Sequence, residues 1–223
     1  DRKVQDSLLL TLGITLISTL LSVLLGLAMA LWIDRKTGFF AYLIEMLGLV
    51  PWVISMVVAG LLWRWLFHGD LGLFNMILRM LGLNPVYVVQ NKIPAIIALI
   101  FVMVWRLVGY AMIMILAGLK GLDGGLIEAS EAMGFSPVEI IFGVYLKESI
   151  PGITRVTMIT FVSLIGITAM AGAIGAGGLG DFAIRYGYQM GYRDMIWATV
   201  IIILLIISAI QFIGNLIIRK TTH

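Results

Sequence analysis

Apolar residues fall into five long blocks along this chain, at Leu8–Ile33, Tyr42–Phe67, Pro94–Leu119, Ile153–Ile174 and Met195–Ile218. Each is long enough to cross a bilayer, which takes about 20 residues. Backbone N–H and C=O groups find no water inside lipid, so each block is expected to be a helix. Polar residues gather in the gaps: a short turn at Asp34–Phe39, a loop at His68–Ile93, a segment at Asp123–Gly152 and a second loop at Gly175–Asp194. Within the first loop Leu73, Phe74, Ile77, Leu78 and Leu81 recur at helical spacing, and Gly82 and Pro85 end the run, so a short helix at the membrane surface is expected there. The pattern predicts an all-α polytopic membrane protein. Residues 1–223 form one transmembrane domain with spans at 8–33, 42–67, 94–119, 153–174 and 195–218 and a polar loop at 120–152.

Composition agrees. The chain has 223 residues, 61% hydrophobic and 12% charged, whereas soluble domains are about 25% charged. The net charge of +3 gives no sign of nucleic-acid binding. There is no cysteine, which excludes disulfides and thiolate chemistry, and His68 and His223 cannot make a histidine cluster for a metal. No phosphate-binding GxxxxGK[ST], HExxH or GxSxG pattern occurs, so neither ATP hydrolysis nor covalent or metal catalysis is expected, and no cofactor. Asp1 rather than Met stands first, consistent with a trimmed N-terminus. Arg2 and Lys3 precede an apolar run, and Ala28-Met29-Ala30 has the look of a cleavage site. The run from Leu8 to Ala28 exceeds a signal core of about 7–15 residues, so it reads as a membrane span.

An odd number of spans puts the termini on opposite sides. With the 120–152 loop inside, Arg35, Lys36, Lys120, Lys147, Arg155, Arg219 and Lys220 are inside and Arg2, Lys3, Arg64, Arg79, Lys92, Arg185 and Arg193 outside. Seven against seven leaves the chain unoriented by charge.

The polar segment carries its own helix signals. Asp123 suits an N-cap, Leu126–Met133 a short helix, and Gly134 the left-handed position that ends it. Ser136 and Glu139 have capping-box spacing and Pro137 fits a first helical position. A second helix is expected from Pro137 to about Lys147, with Ile140, Ile141, Val144 and Leu146 on its apolar side and Pro151 marking the turn into the next span. The two helices present Glu128, Glu131 and Glu139. On the residues alone, the segment reads equally as an interfacial hairpin that connects two spans.

Three further features stand out. Ala169–Gly180 is rich in small residues, with Ala171/Gly175, Gly172/Ala176 and Ala173/Gly177 at small-xxx-small spacing. Its five glycines favour a break near Gly175–Gly180. A dimer seam and outer gate that includes Met170, Gly172, Gly175, Gly177 and Gly178 is one reading, and plain tight packing the other. Arg106 sits near the middle of the third span, where a charge costs ~2.5–3.5 kcal/mol on insertion scales. It is expected to line a pathway or meet a partner, with snorkelling as the alternative. Trp52, Trp63 and Trp65 fit interfacial anchoring, and Glu45 fits headgroup depth.

The polar segment resembles the cytoplasmic "EAA" loop of permease subunits in binding-protein-dependent ABC importers. That signature reads approximately Glu-Ala-Ala, three residues, Gly, nine residues, Ile-x-Leu-Pro. Here Glu128, Ala129, Ser130, Gly134, Val144 and Leu146 fall in register, Lys147 stands where the family has proline, and Pro151 matches a second proline of many members. From Gly125 to about Arg219 the chain is similar to methionine-type permeases, through Leu126–Ser130, Ala169–Gly180 and Tyr186-Gly187-Tyr188. From about Thr11 to Leu122 it is more similar to sugar-type permeases, through Pro51–Ser55, Gly60–Phe67 and Leu116–Leu122.

The resemblance implies a type I ABC importer fold with five transmembrane helices and a coupling-helix loop. Glu128, Ala129, Ser130, Glu131, Gly134, Ser136, Pro137, Val144, Leu146 and Pro151 would dock it on a separate ATPase. It implies a cytoplasmic (inner) membrane location with the N-terminus outside and the C-terminus inside. The implied partners are two ABC ATPase subunits, an extracytoplasmic substrate-binding protein, a second permease copy and membrane lipid. The implied cargo is methionine or a similar amino acid, with a small sugar or other polar solute as the alternative. A non-transporting scaffold subunit and a stand-alone channel are competing classes.

Overall fold

The computed structural model describes residues 2–34, 36, 38–88, 90–121, 124–168 and 178–221, with strands absent from these residues. Among these residues four helical stretches are long and apolar enough to cross a membrane: Val4–Asp34, Lys92–Lys120, Ile141–Ile167 and Arg193–Thr221. The remaining block forms a bent pair that makes up to five spans in all. In chain order the helices are α1 (Arg2–Asp34), α2 (Phe39–Val53), α3 (Met56–Leu66), α4 (Leu73–Met80), α5 (Lys92–Lys120), α6 (Gly124–Ala132), α7 (Pro137–Ile140), α8 (Leu146–Ile167), α9 (Leu179–Phe182) and α10 (Arg193–Thr221).

The Tyr42–Phe67 block, expected to be one helix, is a broken pair. α2 and Val57–Leu66 of α3 meet at 98°. Ile54 and Ser55 turn extended, with ψ of 131° and 139°, which stops the hydrogen-bond ladder. Pro51, inside α2, has already removed one bond from its last turn.

Two further expectations shift. Pro151 does not mark a turn into the span; it lies inside α8. The chain runs from α7 through a widened π-helical turn at Ile141–Tyr145 directly into α8, so the apolar span begins at Ile141, not Ile153. A proline is tolerated there at the cost of its bond to the Lys147 carbonyl. Within the second loop, α9 continues through another widened turn at Ala183–Gln189, so residues 179–189 are helical. The expected surface helix is α4. It closes at Gly82, where the Leu83 N–H donates to the Leu78 carbonyl at 2.9 Å.

α5 is the hub, packing against α1, α2 and α8. Thr11, Thr15, Ser18, Thr19 and Ser22 repeat at helical spacing on α1 and are all buried. Small side chains on such a face let helices approach closely in a membrane. A Cβ added to Gly26 would sit 2.9 Å from both the Ala111 Cβ and the Met112 nitrogen of α5. On the α2 side the approach is backbone to backbone: a Cβ at Gly109 would overlap the Gly48 carbonyl.

The loop between α3 and α5 is tied down by Asn75, which is fully buried. Its amide nitrogen donates to the Gly69 and Val86 carbonyls at 2.8 and 3.0 Å, and its oxygen accepts from the Val86 N–H at 2.8 Å. Trp63 anchors the same end by packing on Phe67, Phe101 and Trp105 with ring centroids 5.2–5.4 Å apart.

The Gly48–Gly109 crossing yields a direct test. Gly109→Ala forces backbone apart, and overpacking of this kind costs about 1–3 kcal/mol. We expect a clear drop in the apparent Tm of the detergent-solubilised protein, whereas Gly118→Ala, with nothing within 4 Å of the added carbon, leaves it unchanged.

Candidate functional site

The segment between α5 and α8 is built from two capped helices. α6 ends in a Schellman closure: Gly134 sits at φ +81°, and the Phe135 N–H reaches back to the Ser130 carbonyl at 3.1 Å. Glycine takes that left-handed conformation without strain. α7 opens two residues later with a reciprocal capping box. The Ser136 N–H donates to Glu139 Oε2 at 2.7 Å, and the Glu139 N–H donates to Ser136 Oγ at 3.3 Å. The hydrogen bonds from Ser136 hold the Glu139 carboxyl below the usual glutamate range.

The segment's outer surface is apolar as well as acidic. Met133, Phe135 and Phe142 are 66%, 46% and 68% exposed, and Glu128 and Ala129 are exposed beside them. Ser130 is buried. Val144, Leu146 and Pro151 are half-buried, and Lys147 is exposed. Tyr145 and Ile153 pack on a cluster that joins the end of α1, the start of α2 and the end of α5 through Ile33, Ala41 and Leu119. The backbone at Glu131 and Pro137 is helical; Asp123, the expected N-cap, lies outside the described residues.

Arg106 forms a second centre. Its Nη1 donates to the Pro51 and Ile54 carbonyls at 3.2 and 2.7 Å, and its Nη2 reaches the Trp52 carbonyl at 3.5 Å. These carbonyls belong to the broken end of α2. A helix C-terminus carries partial negative charge, so a cation there is favourable. Trp52 stacks on Tyr110 one turn further along α5, with centroids 5.5 Å apart. Glu45, closer to the start of α2, lies 3.9 Å from Lys120. Arg106 and the polar segment do not meet: they stand near the middle and beyond the end of α5 respectively.

Of the gate residues, Met170, Gly172, Gly175 and Gly177 lie outside the described residues. Gly178 is buried at φ +107°. The next N–H, of Leu179, donates to Thr11 Oγ1 of α1 at 2.7 Å. A Cβ at Gly178 would crowd that same oxygen at 2.9 Å. Thr11 therefore caps α9 from across the fold, a role that hydrophobic periodicity does not single out. The polar face of α1 was its visible signal.

The sequence profile described as "Binding-protein-dependent transport system inner membrane component" matches residues 18–223. The chain belongs to this family. Among its relatives, the xylose/arabinose import permease protein XacH of Haloferax volcanii is 33% identical over 147 residues, 66% of this chain and 44% of that one. The probable D-methionine transport system permease protein MetI of Vibrio cholerae is 39% identical over 99 residues, 44% of each chain. The chain thus spans less than half the length of these curated relatives. Among solved structures, the inward-facing MetNI methionine ABC transporter superposes with a TM-score of 0.76 at 26% identity, over 99% of this chain and 97% of that one. A bacterial alginate ABC transporter shares the fold at a TM-score of 0.85 and 19% identity, over 99% and 80% of the two chains.

In this family member the capping box sets a pH dependence. Because the Glu139 carboxyl is held below its ordinary range, its contribution is complete above the unfolded-state value and fades as pH falls through the lowered one. The protection factor of the Ser136 amide, whose N–H donates to Glu139 Oε2, should fall on acidification in the native protein. Glu139→Gln should remove that pH dependence, and Ser136→Ala should weaken the cap by roughly 0.5–2 kcal/mol at neutral pH.

Proposed function

We propose that the chain forms the translocation path of a binding-protein-dependent importer, with ATP hydrolysis on a separate subunit. The observation that carries this reading is the 124–152 segment. Two short capped helices, with the link between them and the widened turn that follows, expose Met133, Phe135 and Phe142 in the same segment as Glu128, and the chain leads from them into α5 on one side and α8 on the other. A rigid apolar knob with an acidic rim, fixed to two spanning helices, suits docking in a groove on a motor subunit. Family membership supports the same reading.

The whole chain acts as one permease domain in the inner membrane, with the N-terminus outside and the 120–152 loop and the C-terminus inside. It pairs with a second copy of itself, two ATPases and an extracytoplasmic binding protein. Closure of the ATPases moves α6 and α7, and the path opens alternately to each side. Arg106 and the small-residue run ending at Gly178 belong to that path, the latter as its outer gate. Two solute classes have support: an amino acid such as methionine, from the MetI relative, and a small sugar, from XacH.

Purification in mild detergent tests the assembly. A stoichiometric ATPase and a binding protein should be recovered with the native chain. Gly134→Val, which forces a β-branched residue to φ +81°, should lose the ATPase while the chain still inserts. A scaffold subunit predicts unchanged uptake in that variant; a channel predicts conduction with no ATPase present.

A further inference from the structure

The described spans carry one groove whose chemistry the docking and gating roles leave unused. Ser163 of α8 and Gln211 and Asn215 of α10 line a groove of about 320 Å³, walled by Met158, Ile159 and Val162. All three polar side chains are exposed in the protomer, and among the described residues none has a hydrogen-bond partner.

Their depth makes this exposure informative. Arg193 and Arg219 bracket α10, about 39 Å apart at 1.5 Å per residue. On the same scale Gln211 lies about 12 Å and Asn215 about 6 Å inward of Arg219, within a hydrocarbon layer about 30 Å thick. Ser163 is about five residues, roughly 7 Å, along α8 from Met158, whose side chain is pressed against Gly214 of α10. Carboxamides facing acyl chains lose the hydrogen bonds they had in water. Polar groups within spans instead face a bundle interior or a water-filled cavity.

The groove's chemistry is narrow. Each carboxamide offers both donors and acceptors, and the serine adds one hydroxyl. Hydroxyl groups on a solute match that set, and the apolar wall suits the C–H face of a small ring. Among the described residues no charged side chain lines the groove, so a carboxylate, ammonium or phosphate would meet no counter-charge from them. The volume is at the lower end of ligand sites, which run about 300–1,000 Å³. We propose that this groove is a solute-contact site for neutral polyhydroxylated compounds, the class of small carbohydrates and polyols. The proposal rests on the importer reading and chooses between its two solute classes.

The absence of cysteine makes Asn215→Cys and Ser163→Cys unique thiols within this subunit. Each variant, purified with its ATPase and placed in lipid nanodiscs, is labelled with a water-soluble maleimide. At least one thiol should react, and trehalose or D-xylose at tens of millimolar should slow the reaction several-fold, while L-methionine and sn-glycerol-3-phosphate should not. Reaction only with a lipid-soluble maleimide overturns the proposal, because the groove then faces acyl chains. So does protection by methionine or glycerol phosphate, equal labelling with every probe, or a disulfide joining two copies through Asn215→Cys. Recovery of the ATPase in the same preparation reports separately on the importer reading.

Discussion

A helix that stops inside a membrane leaves carbonyls with nothing to bond, and Arg106 removes that cost at the end of α2. Its guanidinium reaches the carbonyls of Pro51, Ile54 and Trp52, which water would otherwise have to fill. The contact fixes α2 along α5 at the level where Gly48 and Gly109 bring the two backbones together. It also lets α3 leave at 98°. That turn carries Trp63 to Phe101 and Trp105 of α5, with Phe67 stacked on Trp63. The junction between α2 and α3 therefore rests on Arg106.

α5 connects this junction to the polar segment. Its last buried residues, Ile115, Leu116 and Leu119, share a cluster with Ala30 and Ile33 of α1 and Val156 of α8, and Tyr145 and Ile153 pack against it. A push on α6 or α7 is thus delivered to packed side chains rather than to a loose loop. At the other end of α1, Thr11 holds the start of α9. One helix therefore touches both this cluster and the chain just past Gly178, which provides a continuous physical connection between the two.

Local rules made much of this visible in the sequence. Apolar length located the spans, and the caps at Gly134, Ser136 and Glu139 took their predicted forms because their partners lie within five residues. What stayed hidden depends on distant partners. The break after Val53 is stabilised by an arginine more than 50 residues away, so hydropathy sees only an unbroken apolar block. Pro51 was the local clue, yet the helix runs through it and stops later. Pro151 misled in the opposite sense, since a turn signal was absorbed inside a long helix. Asn75 resembles any polar residue of a surface helix until the Val86 backbone folds back on it. The row from Thr11 to Ser22 was readable at helical spacing, but its contacts with α5 and α9 belong to tertiary structure.

In the proposed function, the capped pair α6–α7 is the contact through which a separate ATPase moves this subunit. Met133, exposed beside the Gly134 closure in a chain without cysteine, offers a direct measurement. Met133→Cys should form an intersubunit cross-link to the ATPase in native membranes, with a yield that changes when ATP binds. An intact, ATPase-containing complex in which neither Met133→Cys nor Phe142→Cys cross-links to the ATPase would contradict the account.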